Sequence, residues 1–227
     1  MEAGVLYLVS TPIGNLGDIT FRAVEVLKDV DLIAAEDTRK TKILLNHYAV
    51  STAVTSFYSY NQVKKTPVLL DFLNQGKSIA LVTDAGTPGI SDPAYYLVTR
   101  VIQAGLRVIP IPGPVAFVAG LVASGLQTRR FVFEGFLPVK KGRKTRLEQL
   151  AREERTIILY ESPHRIRRTL DDVLNYFGDR QIVIARELTK KFEELLRGRV
   201  SEILERISQK VVKGEIVLLI EGNPKTK

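Results

Sequence analysis

The chain of 227 residues is 45% hydrophobic and has a formal net charge of +8, which predicts a folded protein with room for two modest domains and favours a polyanionic partner. It contains no cysteine, and its two histidines, His47 and His164, lie far apart; this excludes disulfides, thiolate catalysis and cysteine-ligated metals, and we expect no metal site. No apolar run approaches the ~20 residues of a membrane span, and the first residues lack the basic flank and cleavage site of a signal peptide, so we expect a cytoplasmic protein that does not enter a membrane.

Apolar runs alternate with amphipathic stretches along the chain, which predicts an α/β fold. "DITFRAVEVLKDV" (18–30) is typical of a helix capped by Asp18 or Thr20, and residues 162–178 are typical of a helix capped by Ser162, begun by Pro163 and ended by Gly178. "ARELTKKFEELLRGRVSEI" (185–203) indicates a hairpin, so we expect a mostly parallel sheet in the first half and a mixed sheet in the second. The predicted strands are Val5 to Val9, Leu32 to Glu36, Ser78 to Thr83, Arg107 to Ile111, Phe131 to Gly135, Thr156 to Tyr160, Gln181 to Arg186, Leu195 to Val200 and Glu215 to Ile220.

A domain border is predicted within "PIPGPVAFVAG" (110–120), because its three prolines and first glycine forbid a continuous helix or strand. We place one domain at residues 1–112 and the other at residues 113–227. The next segment, "VAFVAGLVASGL" (115–126), predicts a helix whose small residues allow close approach of a neighbouring helix, a partner subunit or a ligand. Helix packing is the interpretation that we favour.

Three loops rich in glycine and proline follow three of the predicted strands. They are "STPIGNLGD" (10–18), "TDAGTPGISDP" (83–93) and "PIPGP" (110–114). None matches the glycine spacing of a dinucleotide loop or a nucleoside-triphosphate loop. Because parallel α/β sheets bind ligands at the carboxyl edge of their strands, the three loops together predict a ligand site there.

Several longer motifs carry a resemblance to a known family. They are "TPIGNLGDITFRAVEVLKDVDLIAAEDTRKTKILL", "LVTDAGTPGISDP", "PIPGP", "FEGFLP", "YESPHR", "ARELTKKFE" and "KGEIVLLIEG". Together they resemble the ribosomal RNA small subunit methyltransferase I family of the tetrapyrrole methylase superfamily. The resemblance runs from about Leu6 to Gly222, which is nearly the whole chain.

The resemblance implies 2′-O-methylation of a cytidine ribose in the decoding region of 16S rRNA, with S-adenosylmethionine as cofactor. It also implies a homodimer of two-domain subunits that hold the cofactor in a cleft between the domains. Cofactor contacts are implied for the strand-end loops and the segment after them, at Pro12, Gly86, Thr87, Pro88, Ile90, Val115 and Ala116. A second wall of the cofactor site is implied at Tyr160, Glu161, Gly214 and Glu215.

One stretch departs from the family pattern. In "SFYSYNQ" (56–62), Asn61 is kept, but Tyr58 and Tyr60 stand where the family carries histidines. A mechanism that uses a histidine base in this loop is therefore in doubt for this chain.

Methyl transfer to a ribose hydroxyl needs alignment, together with a base or a polarising cation that assists proton loss. The predicted catalytic residues are the charged groups of "EDTR" and "RELTK", namely Glu36, Asp37, Arg39, Glu187 and Lys190. Alternatives remain open for several of the charged residues. Glu36 and Asp37 could cap the helix that starts near Thr38, Arg39 could be surface charge, and Glu161 could pair with Arg165.

Basic residues cluster in "VKKGRKTRLEQLAREER" (139–155) and "HRIRR" (164–168). These clusters are either solvated helix faces or contacts to RNA phosphates. The predicted RNA-binding residues are Arg143, Lys144, Arg146, Arg165 and Arg168. Two other functions stay open, namely a methyltransferase of the same superfamily that acts on a tetrapyrrole, and a ribosome-assembly factor that binds RNA without catalysis.

Overall fold

The computed structural model describes residues 4–208 and 212–223. The chain divides into two compact units, Met1–Val115 and Ala116–Lys227, whereas the sequence predicts a border between residues 112 and 113. Each unit contains a five-stranded sheet covered by helices. Among the described residues, no helix combines the length and apolar character that a membrane crossing requires.

The first unit is built on a parallel sheet. Its strand order is β3-β2-β4-β1-β5, and every neighbouring pair is parallel. The strands are β1 (Val5–Val9), β2 (Leu32–Ala35), β3 (Val54–Ser56), β4 (Ile79–Val82) and β5 (Arg107–Ile111). The helices are α1 (Phe21–Asp29), α2 (Thr38–His47), α3 (Gln62–Asn74) and α4 (Ala94–Gln103). The predicted parallel α/β arrangement is confirmed.

Helices cover both faces of this sheet. Successive strand residues point to opposite sides, so they are buried in two different cores. Leu6, Ile79 and Leu81 face the core formed with α3 and α4. Val9, Ala80 and other residues on the opposite face pack against α1 and α2. The strands therefore read as continuous apolar runs, as expected for a sheet covered on both sides.

The second unit is built on a mixed sheet with the order β6-β7-β10-β8-β9. Only β6 and β7 pair in parallel, and the other neighbours are antiparallel. The strands are β6 (Phe131–Phe136), β7 (Thr156–Glu161), β8 (Gln181–Arg186), β9 (Glu194–Arg199) and β10 (Ile216–Ile220). The helices are α5 (Ala116–Ser124), α6 (Arg143–Leu150), α7 (Ile166–Phe177) and α8 (Val200–Ser208). The mixed sheet and the β8–β9 hairpin were both predicted.

The small residues of α5 allow it to lie close to the mixed sheet. A Cβ placed on Gly120 would be 3.4 Å from Val217 Cγ1 and 3.5 Å from Ala185 Cβ. The other face of the sheet packs against α6, α7 and α8 through one large apolar core. The close approach predicted for this segment is thus made to the strands of the mixed sheet rather than to a helix.

The helix starts agree with the sequence at two positions and differ at a third. Thr20 and Asp37 cap α1 and α2 by accepting hydrogen bonds from backbone N–H groups. The prediction that Ser162 caps a helix begun by Pro163 is wrong. The helix α7 begins at Ile166, and the Ser162 carbonyl, rather than its hydroxyl, accepts the N–H groups of Arg165 and Ile166.

Candidate active site

The loops that follow β1, β4 and β5 meet at the carboxyl edge of the parallel sheet. Thr11 and Gly86 exchange two backbone hydrogen bonds, of 2.9 and 3.0 Å. The hydroxyl oxygens of Ser10 and Thr87 are 2.8 Å apart, and the Thr87 hydroxyl donates to the Pro114 carbonyl at 3.2 Å. The strands β4, β1 and β5 are neighbours in the sheet, so the three loops form one connected surface.

Two glycines make this close arrangement possible. Gly86 has a φ of +85°, a conformation that residues with a Cβ rarely adopt. At Gly113, a Cβ would lie 2.7 Å from the Cβ of Ser10, so the third loop could not approach the first. The glycines therefore serve the contact between loops.

Most of the predicted cofactor residues of the first unit belong to this surface. Pro12, Gly86 and Pro88 are buried, whereas Thr87, Ile90 and Val115 are partly exposed. Val115 follows directly after the Pro114 carbonyl that Thr87 contacts. Ala116 begins α5 in the second unit.

Carboxylates lie in the second loop and beside it. Glu36, directly after β2, accepts the Thr83 hydroxyl at 2.7 Å and the Asp84 N–H at 3.3 Å. Asp92 lines the same small pocket as Glu36 and accepts the N–H groups of Gly89 and Ala94. Burial raises the pKa of Asp92, and the nearby charge of Glu36 adds to this rise. Sequence reasoning missed Asp92, although its place in "ISDPA", just before α4, marks it as a residue that binds a helix start.

Asp37 and Arg39 form a pair within one turn of chain. The two Asp37 oxygens accept Arg39 Nε at 3.1 Å and Nη2 at 2.8 Å, and Asp37 also caps α2. These hydrogen bonds hold the pKa of Asp37 well below its usual range. A carboxylate in this state is a weak proton acceptor, so Asp37 fits the capping role better than that of a general base. The Arg39 side chain is 90% exposed.

In the second unit, Tyr160 lies at the end of β7 among aromatic rings. Its ring centroid is 5.0 Å from that of Phe133 and 5.7 Å from that of Phe136. Burial raises the pKa of Tyr160, against a hydrogen bond to the backbone of Phe117 that lowers it. Tyr160 is therefore a protonated, half-buried side chain that can line a pocket.

Glu161 is buried and fully engaged with neighbouring groups. It accepts the Thr169 hydroxyl at 2.6 Å and the Ser162 N–H at 2.8 Å, and Arg165 Nε lies 3.4 Å away. These contacts correspond to the structural alternative, in which Glu161 pairs with Arg165. A direct cofactor contact by Glu161 stays an expectation without further support.

Lys190 connects the predicted catalytic segment to the segment that carries Gly214 and Glu215. Its ammonium donates to Glu187 Oε1 and to Glu215 Oε2, each at 2.9 Å. Partial burial opposes a raised pKa of Lys190, but the hydrogen bonds with the two carboxylates outweigh it, so the net shift is upward. The same contact lowers the pKa of Glu187. The cluster thus offers a fixed cation rather than a base.

The backbone around this cluster is tightly constrained. Glu187 has a φ of +50° and exchanges hydrogen bonds with the main chain of Glu215. A Cβ on Gly214 would lie 2.3 Å from Glu187 Cγ. Gly214 is therefore required by the packing of Glu187, a role that the sequence alone does not reveal.

The predicted RNA-binding residues are in different environments. Arg143 is 5% exposed and bonds to Asp172, Thr169 and the Pro138 carbonyl. This corrects the expectation for Arg143, because its guanidinium is used inside the fold. Arg146 pairs with Glu134. Arg165 contacts Glu161 and also donates to the Leu137 carbonyl. Of the predicted RNA-binding residues, Lys144 and Arg168 lie on the exposed surface.

Comparison with known proteins identifies relatives over nearly the whole chain. A profile of the tetrapyrrole (corrin/porphyrin) methylases matches residues 5–204. A ribosomal RNA small subunit methyltransferase I from Halalkalibacterium halodurans is 52% identical over 223 residues, which cover 98% of this chain and 77% of the relative. A protein of the same name from Vibrio cholerae is 52% identical over 224 residues, covering 97% of this chain and 78% of the relative.

Solved structures share the fold at lower identity. The cobalamin biosynthetic enzyme cobalt precorrin-4 methyltransferase aligns with a TM-score of 0.69 at 19% identity, covering 96% of this chain and 94% of that one. Uroporphyrin-III C-methyltransferase from Thermus thermophilus, in complex with S-adenosylhomocysteine, aligns with a TM-score of 0.68 at 17% identity, covering 96% and 97% of the two chains. At these identities the likeness concerns the fold.

Proposed function

This chain belongs to the tetrapyrrole (corrin/porphyrin) methylase family, and within it to the group of the ribosomal RNA small subunit methyltransferases I. From this premise we propose that it methylates ribosomal RNA with S-adenosylmethionine as the methyl donor. The observation that carries the proposal is 52% identity to named relatives over nearly the whole chain. The connected loops after β1, β4 and β5 add a site of the kind that binds small ligands at the carboxyl edge of a parallel sheet.

The residues of the first unit fit the proposed cofactor. The hydroxyls of Ser10, Thr11 and Thr87 hold the three loops in place, and the backbone N–H and C=O groups of these loops suit the amino-acid and ribose parts of S-adenosylmethionine. Thr87, Ile90 and Val115 are partly exposed and can contact a ligand. When bound, S-adenosylmethionine supplies a methyl group on a positively charged sulfur.

The finer part of the proposal concerns the acceptor, the 2′-hydroxyl of a cytidine in the decoding region of 16S rRNA within the small ribosomal subunit. Such a hydroxyl must lose its proton as the methyl group arrives. Glu36, beside the second loop, and Asp92, within that loop, line one small pocket, and the raised pKa of Asp92 makes it a better proton acceptor than Asp37. In the second unit, the fixed ammonium of Lys190 can stabilise developing negative charge on an oxygen.

The proposal extends to partners and location. It includes a homodimer, a cytoplasmic location and contact of the exposed Lys144 and Arg168 with RNA phosphates. It does not use a histidine base, because Tyr58 and Tyr60 occupy the loop after β3. In that loop the amide of Asn61 has a structural role, since it accepts the Tyr58 N–H at 2.8 Å and donates to the Ser56 carbonyl at 3.2 Å.

The decisive experiment is transfer of labelled methyl from S-adenosylmethionine to small ribosomal subunits that lack their native modifications, followed by nucleoside analysis. We expect the label in 2′-O-methylcytidine. Label in another nucleoside would retain rRNA methylation and overturn the cytidine assignment. Absence of label, with the cofactor still bound, would overturn the rRNA substrate and direct the assay to tetrapyrroles.

A further inference from the structure

A second concave surface lies in the second unit, at the amino ends of β6 and β7. It has a volume of about 810 Å³, and its lining includes two carboxylates, Glu153 and Glu154, and four arginines: Arg129, Arg130, Arg152 and Arg155. We call it the arginine pocket. Its position is opposite the end of β7 that carries Tyr160, about 17 Å away along a six-residue strand. Within the second unit, it is therefore separate from the end of β7 that carries Tyr160.

The charge of the arginine pocket is only partly neutralised. Arg155 is paired with Glu153 through two hydrogen bonds of 2.7 Å, and these lower the pKa of Glu153 to about 2. In contrast, Arg129, Arg130 and Arg152 are exposed, and within residues 4–208 and 212–223 no carboxylate forms an ion pair with any of the three. Three guanidinium groups are thus available to an anionic partner.

The backbone that carries these arginines is held in place. The Thr156 hydroxyl donates to the Gln127 carbonyl at 2.6 Å, which fixes the segment before Arg129. On the other side, the Asn223 N–H donates to the Glu153 carbonyl, and the buried Arg180 donates to the Ala151 carbonyl. The loop that carries Arg152 is therefore anchored, which reduces the ordering cost of binding.

An aromatic ring adds to the chemistry of the pocket. Phe131 also lines it, and this residue is 39% exposed. Guanidinium groups bind phosphate oxygens through paired N–H donors, and aromatic rings stack on unpaired bases. Arginines beside an exposed ring are the combination that single-stranded RNA segments require.

We propose that the arginine pocket binds backbone phosphates of the RNA substrate at a distance from the methylated nucleotide. This inference rests on the proposed function, because it takes the substrate to be RNA. A polymer can contact both ends of β7 at once, whereas a single nucleoside cannot. The pocket thereby adds affinity for large RNA without touching the reacting groups.

The test is the triple variant R129A/R130A/R152A, measured for binding to unmodified small-subunit RNA over a range of salt concentrations. The plot of log K against log salt has a negative slope, and the loss of three phosphate contacts makes this slope shallower by about 2. The affinity for S-adenosylmethionine stays unchanged. Because all three side chains are exposed, we expect the variant to fold, and thermal unfolding checks this.

A matched control removes the same charge from the first unit. Arg22, Lys28 and Arg107 are exposed, and the variant R22A/K28A/R107A should keep the wild-type slope. An equal loss of slope in both variants would overturn the pocket, because net charge alone would then explain binding. An unchanged slope in R129A/R130A/R152A would also overturn it.

The experiment separates this inference from the proposed function. If the wild-type protein methylates ribosomal RNA while R129A/R130A/R152A binds and methylates it normally, the pocket assignment alone is wrong. If the wild-type protein neither binds nor methylates ribosomal RNA, the proposed function is wrong, and the pocket assignment is overturned with it.

Discussion

The hydroxyl oxygens of Ser10 and Thr87 lie 2.8 Å apart, so a hydrogen bond joins the loop after β1 to the loop after β4. Thr87 also donates to the Pro114 carbonyl, which links the loop after β5. One hydroxyl therefore connects all three loops of the candidate cofactor surface.

Thr87→Val removes both contacts of this hydroxyl and keeps the shape of the side chain. A hydrogen bond contributes about 1 kcal/mol, so we expect the Kd for S-adenosylmethionine to rise by about fivefold if one contact matters and by about 30-fold if both do. Calorimetric titration measures this. The matched control is Thr99→Val, because the Thr99 hydroxyl donates to the Tyr95 carbonyl within α4 and joins no loops. A native Kd in Thr87→Val would show that the connection does not organise the cofactor site.

Gly214→Ala tests the cluster of Glu187, Lys190 and Glu215. Gly214 has a φ of +90°, and an added Cβ would collide with Glu187. We expect a loss of about 2 to 3 kcal/mol in the free energy of unfolding, measured with urea, from backbone strain and displacement of Glu187. Methyl transfer should fall with it, because Lys190 loses its fixed position.

The control for this change is Gly178→Ala. Gly178 has a φ of +79°, and no atom of the described residues lies within 4 Å of the position that a Cβ would take, so this variant reports backbone strain without a collision. The excess loss in Gly214→Ala over Gly178→Ala measures the collision with Glu187. Equal losses would contradict the role assigned to Gly214.

The raised pKa of Asp92 leads us to expect a specific dependence of the free energy of unfolding on pH. Burial raises its folded-state pKa above the ordinary 3.8, so the folded protein binds more protons than the unfolded chain as pH rises just above that value. The contribution of this group to the free energy of unfolding therefore falls with increasing pH in that window. Asp92→Asn removes the titration, and the difference in stability between wild type and variant should change with pH there. A difference independent of pH would contradict the raised pKa.

The strands and the grouping of the three loops could be predicted from the sequence, because apolar runs and the glycine and proline residues after them are local signals. β3 was missed, since Val54–Ser56 is only three residues long and each residue is partly exposed. Ser162 precedes a turn of chain rather than the first turn of α7. The short strand β3 depends on its pairing with β2, which is distant in sequence, whereas the start of α7 depends on whether the carbonyl or the hydroxyl of Ser162 accepts the following N–H groups.

The site was less predictable than the fold, because charge in a sequence does not reveal burial. Arg143 and Lys144 are neighbours in the same basic run, yet one lies inside the fold and the other on its surface. Asp92 lies 56 positions from Glu36 in the numbering, and only the fold brings the two to one pocket. Similarly, the requirement for glycine at position 214 depends on Glu187, from another segment.

The contrast between Arg143 and Lys144 is itself testable. Arg143→Ala leaves Asp172 and Thr169 without their guanidinium partner inside the second unit, and we expect it to lower the free energy of unfolding by about 2 to 3 kcal/mol. Lys144→Ala removes an exposed side chain 3.9 Å from Glu148, which should cost less than about 0.5 kcal/mol. Urea unfolding measures both, and RNA affinity at fixed salt should fall only in Lys144→Ala when both variants are folded. Near-wild-type stability in Arg143→Ala, with weakened RNA binding, would restore Arg143 as an RNA contact.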